Sequence, residues 1–150
     1  MPVFRLSKEL EFPDPSCADE LGLLAVGGDL SVDRLILAYA SGIYPWPSKG
    51  SPLLWWSPDP RMVLFPDNFR VSHSLRQLVR SGSFSYTLDR DFKSVINHCA
   101  SIPRKGQDAT WITDKMLEAY IALHREGYAH SVESWFEGEL IGGLYGVSIG

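Results

Sequence analysis

The sequence predicts an α+β fold. Apolar side chains recur at helical spacing after Thr113, whose hydroxyl can cap a helix, and Gly127 provides a stop for that helix. Two apolar segments flank Glu137-Gly138, a pair typical of a β-hairpin turn because glycine adopts positive φ without strain. The chain has 150 residues, of which 45% are hydrophobic and 21% charged. This apolar mass is enough for a packed core, which argues against intrinsic disorder.

The first part of the chain is rich in loops. Residues 32–41 have helical spacing, with Asp29 or Ser31 as the cap and Gly42 as the stop. Residues 43–61 are aromatic but interrupted by prolines, so we expect an ordered loop there. Glycine and proline punctuation places a boundary near residue 60. We therefore expect a small N-terminal domain over residues 1–60 and a second domain over residues 61–150.

The second part alternates more regularly between strands and helices. Alternating or short apolar stretches predict strands, and stripes at three- and four-residue spacing predict helices. The predicted strands cover residues 62–65, 84–88, 129–136 and 140–145, and the predicted helices begin near residues 74, 92 and 113. The strand pattern is still present at Tyr145 and Val147, so we expect the sheet to continue beyond residue 150.

Composition and spacing exclude several classes of function. A net charge of −4 excludes a wholly basic nucleic-acid-binding surface. Cys17 and Cys99 lie far apart and the histidines lack ligand spacing, so we expect no metal and a reducing, cytoplasmic environment. No signal peptide and no apolar run near the ~20 residues of a membrane span is visible. Neither a phosphate-binding glycine loop nor a nucleophile elbow occurs, so no covalent nucleophile is assigned.

Four of the five tryptophans lie in loops or at the start of an element. An indole held in a proline-stiffened loop stacks on any nucleobase, which contributes ~1–3 kcal/mol per base. The alternative is that a small, loop-rich domain uses tryptophan to fill its core. Spacing alone leaves both interpretations open for these residues, which are Trp46, Trp55, Trp56 and Trp111.

Basic residues are concentrated in the middle of the chain. Residues 60–110 contain eight Lys or Arg against four Asp, the basic set including Arg104 and Lys105. Arg76 and Arg80 are four residues apart and share one face of the predicted helix, where they could contact consecutive phosphates. The alternative is an ordinary solvated helix face.

Several sequence motifs together resemble one family. The motifs occur in this sequence in the same order as in that family, and they extend over essentially the whole chain. The chain resembles the bacterial leucyl/phenylalanyl-tRNA-protein transferases, and the most specific motif is the run Trp-Trp-Ser-Pro-Asp-Pro-Arg. The matching segments are Gly22 to Ser31, Gly42 to Trp46, Leu54 to Arg61, Thr110 to Thr113, Glu118 to Tyr120, Gly127 to Glu133 and Gly142 to Val147.

The resemblance implies a fold and an activity. The fold would be a small N-terminal domain followed by the first part of a GNAT-like acyltransferase domain, with a mixed, mostly antiparallel sheet. The activity would be transfer of leucine or phenylalanine, and less readily methionine, from aminoacyl-tRNA to the N-terminal Arg or Lys of an acceptor protein. The product would be marked for degradation by the N-end rule pathway. The enzyme would be a cytoplasmic monomer. It would use no cofactor, because an aminoacyl ester is already activated.

The resemblance also implies roles for individual residues. Trp46 and Trp111 would hold the 3′-terminal adenosine of the tRNA, with Tyr39 and Tyr120 nearby. Leu144 would line the pocket for the side chain of the amino acid.

The basic stretch acquires a role by the same resemblance. Arg76 and Arg80 would contact the acceptor stem of the tRNA. Members of the family continue through a Gly-Glu-Ser-Met-Phe-Ser segment and an Asp-x-Gln pair, neither of which this sequence contains. The catalytic base and the oxyanion groups are therefore unassigned. We expect these 150 residues to retain part of the binding surface and little or no transferase activity.

Two other functions fit the same pattern. One is an acetyl-CoA-dependent GNAT acetyltransferase, although the pyrophosphate loop of that fold is not visible in this sequence. The other is a non-catalytic module that binds single-stranded RNA through tryptophan and arginine. Binding of coenzyme A would favour the first, and indifference to the amino acid on the tRNA would favour the second.

Overall fold

The computed structural model describes residues 3–47, 50–103 and 110–150. Within these ranges the chain forms an α+β fold, as predicted, with two separate sheets. The helices are α1 (Val32–Ala40), α2 (His73–Arg80), α3 (Phe92–Ser101) and α4 (Asp114–Arg125). The strands are β1 (Phe4–Leu6), β2 (Leu23–Gly27), β3 (Tyr44–Pro45), β4 (Leu54–Trp56), β5 (Ser85–Leu88), β6 (Ala129–Phe136) and β7 (Glu139–Val147).

The first sheet is mixed and has the strand order β1-β2-β4-β3. β1 runs parallel to β2, whereas β4 is antiparallel to both β2 and β3. The prediction of a loop over residues 43–61 was therefore wrong for β3 and β4. Proline is tolerated here because Pro45 lies in β3, an edge strand of this sheet, which has one side free of ladder hydrogen bonds.

The second sheet is antiparallel and has the order β5-β6-β7. The predicted hairpin is confirmed, since β6 and β7 are joined by Glu137 and Gly138 with φ of 49° and 85°. Two positive φ values in succession match the twist of the flanking strands. The odd-numbered residues of β6 from Ala129 to Trp135 are buried, which identifies the inner face of this sheet.

The helix starts are set by local capping. Ser31 Oγ accepts a hydrogen bond from the Arg34 amide at 3.4 Å, and Thr113 Oγ accepts one from the Met116 amide at 3.4 Å. Each cap satisfies an amide in the first turn that has no partner within the helix. The Thr113 cap was predicted from the sequence, and of the two candidates for α1, Asp29 and Ser31, the cap is Ser31.

The strand predicted over residues 62–65 does not form. These residues are extended in places but pair with no strand in the described part of the chain, and Met62 is 99% exposed. Apolar sequence favours a strand only where a neighbouring backbone is available for pairing, so the pattern alone was misleading.

One hydrophobic core connects the two sheets. α1 packs against α4, and both contribute fully buried side chains to this core. On the second sheet, α3 approaches β7 so closely that a Cβ on Gly143 would lie 2.8 Å from a methyl carbon of Val95. The core includes Leu24, Leu35, Ile43 and Trp55 from the first 60 residues and Phe92, Ile96, Met116 and Leu123 from the rest.

A buried arginine fixes the N-terminal segment. Arg34 in α1 is 1% exposed, and its Nη2 donates to the carbonyl oxygens of Ser7 at 3.2 Å and Glu9 at 2.8 Å. Its Nε lies 3.4 Å from a carboxylate oxygen of Asp29. Such contacts offset the cost of burying the charge.

Of the helices that the structure describes, none has the length and apolar character needed to cross a bilayer.

Candidate functional site

Trp46 and Trp111 stack on each other. Trp46 directly follows β3, where its amide donates to the Leu54 carbonyl at 2.9 Å, and Trp111 lies just before α4. Their ring centroids are 4.7 Å apart and the planes differ by 17°. Trp46 remains 45% exposed, so this pair forms an aromatic surface open to solvent on the Trp46 side.

Two tyrosines extend this arrangement into the core. Trp111 meets Tyr120 of α4 edge to face at 6.3 Å, and the Tyr120 and Tyr39 hydroxyls are hydrogen-bonded to each other. Tyr39 comes from α1, so the packing of α1 on α4 brings the two phenols together. We call Tyr39, Trp46, Trp111 and Tyr120 the aromatic cluster. All four were singled out from the sequence, and the fold places them in one continuous set of contacts.

The two phenols in the cluster are neutral. Burial raises the pKa of Tyr120 well above its ordinary value, and burial likewise raises the pKa of Tyr39. A low-dielectric environment disfavours the phenolate, so each hydroxyl keeps its proton at physiological pH. These tyrosines can therefore donate hydrogen bonds and orient the indoles, but they are poor general bases.

Leu144 lies apart from the cluster. It is 69% exposed on β7 and pairs across the sheet with Val132, which is 43% exposed. Side chains alternate along a strand, so Leu144 is on the outer face while the neighbouring Tyr145 is on the inner face. Tyr145 meets Tyr120 edge to face at 5.7 Å. Sequence reasoning missed Tyr145, although the alternation in β7 already carried that signal.

Arg76 and Arg80 lie on α2, as predicted. Every residue of this helix is exposed, and Ser72 caps it by accepting from the Leu75 amide at 3.2 Å. The spacing of four residues places both guanidinium groups on one face. Of the other basic residues in this stretch, Arg104 and Lys105 fall outside the described residues.

A further arginine lies beside the aromatic cluster. Arg61 Nη2 donates to the Gly42 carbonyl at 2.5 Å, and its Cζ lies 5.4 Å from the centroid of the Tyr44 ring. Tyr44 in turn meets Trp46 edge to face at 6.4 Å. Sequence reasoning did not single out Arg61, because its contacts depend on how the chain folds back onto the end of α1.

Trp55 and Trp56 behave differently from each other. Trp55 is fully buried, and its Nε1 donates to the Gly27 carbonyl at 2.9 Å. Trp56 points to the opposite face of the sheet and is only partly buried, across from Tyr44 of β3. For Trp55 the core-filling interpretation is therefore the correct one.

A polar cluster lies at the other end of α4. Asp89 accepts from His130 Nδ1 at 2.7 Å and from the Ser131 amide at 2.8 Å, and His124 Nδ1 is 3.8 Å away. The hydrogen bond to Asp89 is the main reason that the pKa of His130 is raised, and the same bond is the main reason that the pKa of Asp89 is lowered. Neither this cluster nor any other group of three or more His, Cys, Asp or Glu side chains in the described ranges is arranged so that it could hold a metal ion.

Both parts of the chain match models of one protein family. Residues 63–150 match the family described as leucyl/phenylalanyl-tRNA protein transferase, and residues 28–59 match the N-terminal domain of the same transferase. The chain belongs to this family.

Individual transferases are similar over the whole chain. It is 59% identical over 150 residues to the leucyl/phenylalanyl-tRNA--protein transferase of Syntrophobacter fumaroxidans, covering 100% of this chain and 64% of that protein. It is 58% identical to the transferase of Syntrophus aciditrophicus and 57% identical to that of Solidesulfovibrio magneticus, of which it covers 63% and 61%. The chain thus spans less than two thirds of the length of these relatives.

The transferase family match divides the aromatic cluster between its two segments. Tyr39 and Trp46 fall in the segment that matches the N-terminal domain, whereas Trp111 and Tyr120 fall in the longer segment. In this member of the leucyl/phenylalanyl-tRNA protein transferase family, the stacked indoles therefore join the two segments.

Proposed function

We propose that the protein transfers leucine or phenylalanine, and less readily methionine, from aminoacyl-tRNA to the N-terminal Arg or Lys of acceptor proteins. Family membership supports the reaction class. The observation that carries the proposal for this chain is the stacked, solvent-open pair of Trp46 and Trp111, backed by Tyr120. Such a surface suits the flat base at the end of a tRNA.

The chemistry requires positioning more than activation. In the proposed reaction the α-amine of the acceptor attacks the ester carbonyl carbon, and the bond to the 3′ oxygen of the terminal ribose breaks. The proton lost by the amine is taken up by the leaving oxygen. The reaction is accelerated by a general base, by hydrogen-bond donors that stabilise the oxyanion and by a fixed substrate geometry. The neutral phenols of Tyr39 and Tyr120 support a positioning role, and the base remains unassigned.

The spacing of the indoles favours one mode of adenine binding. A base inserted between the two rings would need roughly 7 Å between their planes, twice the contact distance of about 3.5 Å. The centroids are 4.7 Å apart, so the rings are already in contact. We therefore propose that the adenine stacks on the open face of Trp46, with Trp111 supporting that ring from behind.

Other parts of the proposal rest on the family resemblance. We assign Arg76 and Arg80 to the acceptor stem, which the full exposure of α2 supports. We assign Leu144 to the amino-acid pocket, which requires the aminoacyl group to reach the outer face of the second sheet. A boundary near residue 60, supported by the two family segments, would separate a small N-terminal domain from a GNAT-like domain. The enzyme would act as a cytoplasmic monomer without cofactor and would mark its acceptors for the N-end rule pathway.

Ligand binding tests this function directly. Puromycin, an analogue of aminoacyl-adenosine, should bind saturably and change tryptophan fluorescence, and leucyl-tRNA should bind more tightly than uncharged tRNA. Equal affinity for charged and uncharged tRNA would instead indicate a non-catalytic RNA-binding module. Saturable binding of coenzyme A in place of puromycin would indicate an acetyltransferase. Both outcomes contradict the proposal.

Transfer activity tests where the chemistry resides. These 150 residues, incubated with leucyl-tRNA and a protein that begins with Arg, should bind the tRNA but form little or no product. Turnover at the rate of a longer relative would show that the base and oxyanion groups lie within this chain.

A further inference from the structure

Arg61 is held in place by two independent contacts. Its Nη2 donates to the carbonyl of Gly42, just after the end of α1, at 2.5 Å. Its guanidinium carbon lies 5.4 Å from the centroid of the Tyr44 ring, within the range of a cation–π interaction. Two contacts with the segment that follows α1, one to a carbonyl and one to a ring, restrict a side chain that is otherwise long and flexible. The guanidinium group is therefore preorganised although it is exposed.

The charge of Arg61 is not neutralised by the described part of the chain. No described carboxylate lies within ion-pair distance of its guanidinium group. The Gly42 contact uses an N–H of one terminal nitrogen, and the contact with Tyr44 engages the cation through the face of the ring. The remaining N–H groups are available to an oxyanion. A fixed, unpaired guanidinium group has the geometry for binding phosphate.

The position of Arg61 relative to Trp46 suggests which phosphate it binds. The ring of Tyr44 contacts both residues, since its centroid lies 5.4 Å from the guanidinium carbon of Arg61 and 6.4 Å from the ring centroid of Trp46. In a nucleotide, only the ribose separates the base from its own 5′-phosphate. A nucleotide with its base on Trp46 can therefore direct that phosphate toward Arg61.

We propose that Arg61 binds the 5′-phosphate of the terminal nucleotide whose base stacks on Trp46. This inference rests on the proposed function, because it takes the end of an aminoacyl-tRNA as the ligand. Arg61 would be a positioning residue that fixes the terminal nucleotide by its phosphate while Trp46 holds the base. The competing explanation is that Arg61 only ties its loop to the end of α1 through Gly42.

Two ligands that differ by a cytidylyl group, and therefore by the phosphate on the 5′ side of the terminal nucleoside, separate these explanations when the salt dependence of their binding is also measured. Puromycin has no phosphate, whereas cytidylyl-puromycin carries one on the 5′ side of the same nucleoside. The variant Arg61→Gln removes the charge but keeps an amide N–H that can donate to the Gly42 carbonyl. Arg61→Lys keeps the charge without the bidentate geometry. Arg70→Gln, at an exposed arginine in the same basic stretch, is the matched control.

We expect Arg61→Gln to lower the affinity for cytidylyl-puromycin about tenfold, because a hydrogen bond to a charged group is lost. The affinity for puromycin should stay within about twofold of the wild-type value. The affinity of Arg61→Lys for cytidylyl-puromycin should lie between those of Arg61→Gln and the wild type. The slope of log affinity against log salt for cytidylyl-puromycin should fall by about one in Arg61→Gln. Arg70→Gln should match the wild type with both ligands.

Each alternative result has a separate meaning. Equal weakening of both ligands by Arg61→Gln would show that Arg61 acts through its loop, and no weakening of either would show that it plays no part; both overturn the inference alone. If the wild type binds neither ligand, the proposed function itself fails. Circular dichroism of each variant confirms that a loss of affinity does not reflect unfolding.

Discussion

The hydroxyl groups of Tyr39 and Tyr120 share a hydrogen bond across the contact between α1 and α4. Tyr120 is 2% exposed, so water does not readily replace Tyr39 as its partner. The Tyr120 ring also packs edge to face against Trp111, with the two ring centroids 6.3 Å apart. The stability of this helix contact and the position of the indole pair are thus coupled through one phenol.

Replacing these tyrosines should give a non-additive loss of stability. Tyr39→Phe or Tyr120→Phe alone leaves the partner hydroxyl buried without its hydrogen bond, which costs about 1–3 kcal/mol. The double variant removes both hydroxyls and should be destabilised by less than the sum of the two. Urea unfolding of the four proteins measures this coupling. Strict additivity would show that the two hydroxyls do not depend on each other.

Removing Trp46 should weaken nucleotide binding. Trp46→Ala takes away the ring on which adenine would stack, and this stacking is worth roughly 1–3 kcal/mol. Because the ring is 45% exposed and otherwise packs on Trp111 and Tyr44, the variant should also lose some stability, which urea unfolding measures separately. Trp111→Ala should also weaken binding, because it removes the ring that supports Trp46. Fluorescence titration with puromycin measures both. Leu88→Ala, at a side chain 73% exposed on β5, is the control and should bind normally.

His130 should make stability depend on pH. Its Nδ1 is 2.7 Å from Asp89 and its Nε2 is 3.1 Å from the Gly127 carbonyl, and two acceptors favour the doubly protonated ring. Because the folded-state pKa of His130 is raised above 6.5, its stabilising contribution is complete below pH 6.5 and is lost as pH rises through the folded pKa. The lowered pKa of Asp89 adds stability above pH 3.8 that is lost as pH falls through its folded pKa.

Unfolding by urea at several pH values checks this dependence. The wild type should lose stability relative to His130→Gln as the pH rises above about 6.5, because the titrating group is absent from the variant. His73→Gln, at an exposed histidine on α2, should keep the wild-type profile. An unchanged profile in His130→Gln would mean that His130 is not the titrating group.

Glu133 should be important for stability because it is buried as a carboxylate. It is 0% exposed and accepts hydrogen bonds from Thr87 Oγ1 at 2.6 Å, Ser131 Oγ at 2.5 Å and the Asp91 amide at 3.2 Å. Burial raises its pKa, but these hydrogen bonds together outweigh burial, so the pKa lies below its ordinary value. The carboxylate therefore connects β5, β6 and the start of α3.

Glu133→Gln should destabilise the protein by about 1–3 kcal/mol, since its amide N–H₂ would face groups that donate. Glu139→Gln, at an exposed residue of the same hairpin, should be nearly neutral. Thermal unfolding of the two variants gives the comparison. Equal stability of Glu133→Gln and wild type would show that the carboxylate is not needed as an acceptor.

Leu144→Ala tests the assignment of Leu144 to the amino-acid pocket. The side chain is 69% exposed, so its truncation should not affect folding. If Leu144 lines the amino-acid pocket, the variant should change the preference among leucyl-, phenylalanyl- and methionyl-adenosine analogues by up to ~1–3 kcal/mol. Ile141→Ala, at another exposed residue of β7, should leave the preference unchanged. The same preference in Leu144→Ala would remove Leu144 from the pocket.

Features specified by neighbouring residues could be predicted from the sequence. The Thr113 cap and the Glu137-Gly138 turn depend on side chains and φ values within a few positions, and both were found where expected. β3 and β4 could not be predicted in this way, because β4 pairs with β3 on one side and with β2 on the other, across long sequence separations. Strand pairing of this kind is decided by tertiary structure.

The candidate site shows the same division. The family resemblance identified Trp46, Trp111, Tyr39 and Tyr120, but not that the indoles lie in direct contact. Arg61 belongs to the most specific motif, but its contact could not be predicted, because its partner at Gly42 is 19 residues earlier in the chain. The separation of Leu144 from the cluster follows from strand alternation, which a list of motifs does not include.

The contact between Trp46 and Trp111 has a consequence for how the site could be divided experimentally. Each indole comes from a different family segment, residues 28–59 and 63–150, so neither segment alone contains a complete stack. Two fragments cut between them would recover nucleotide binding only by reassociating through α1 and α4. Complementation of the fragments would then be a direct assay of whether the site has assembled.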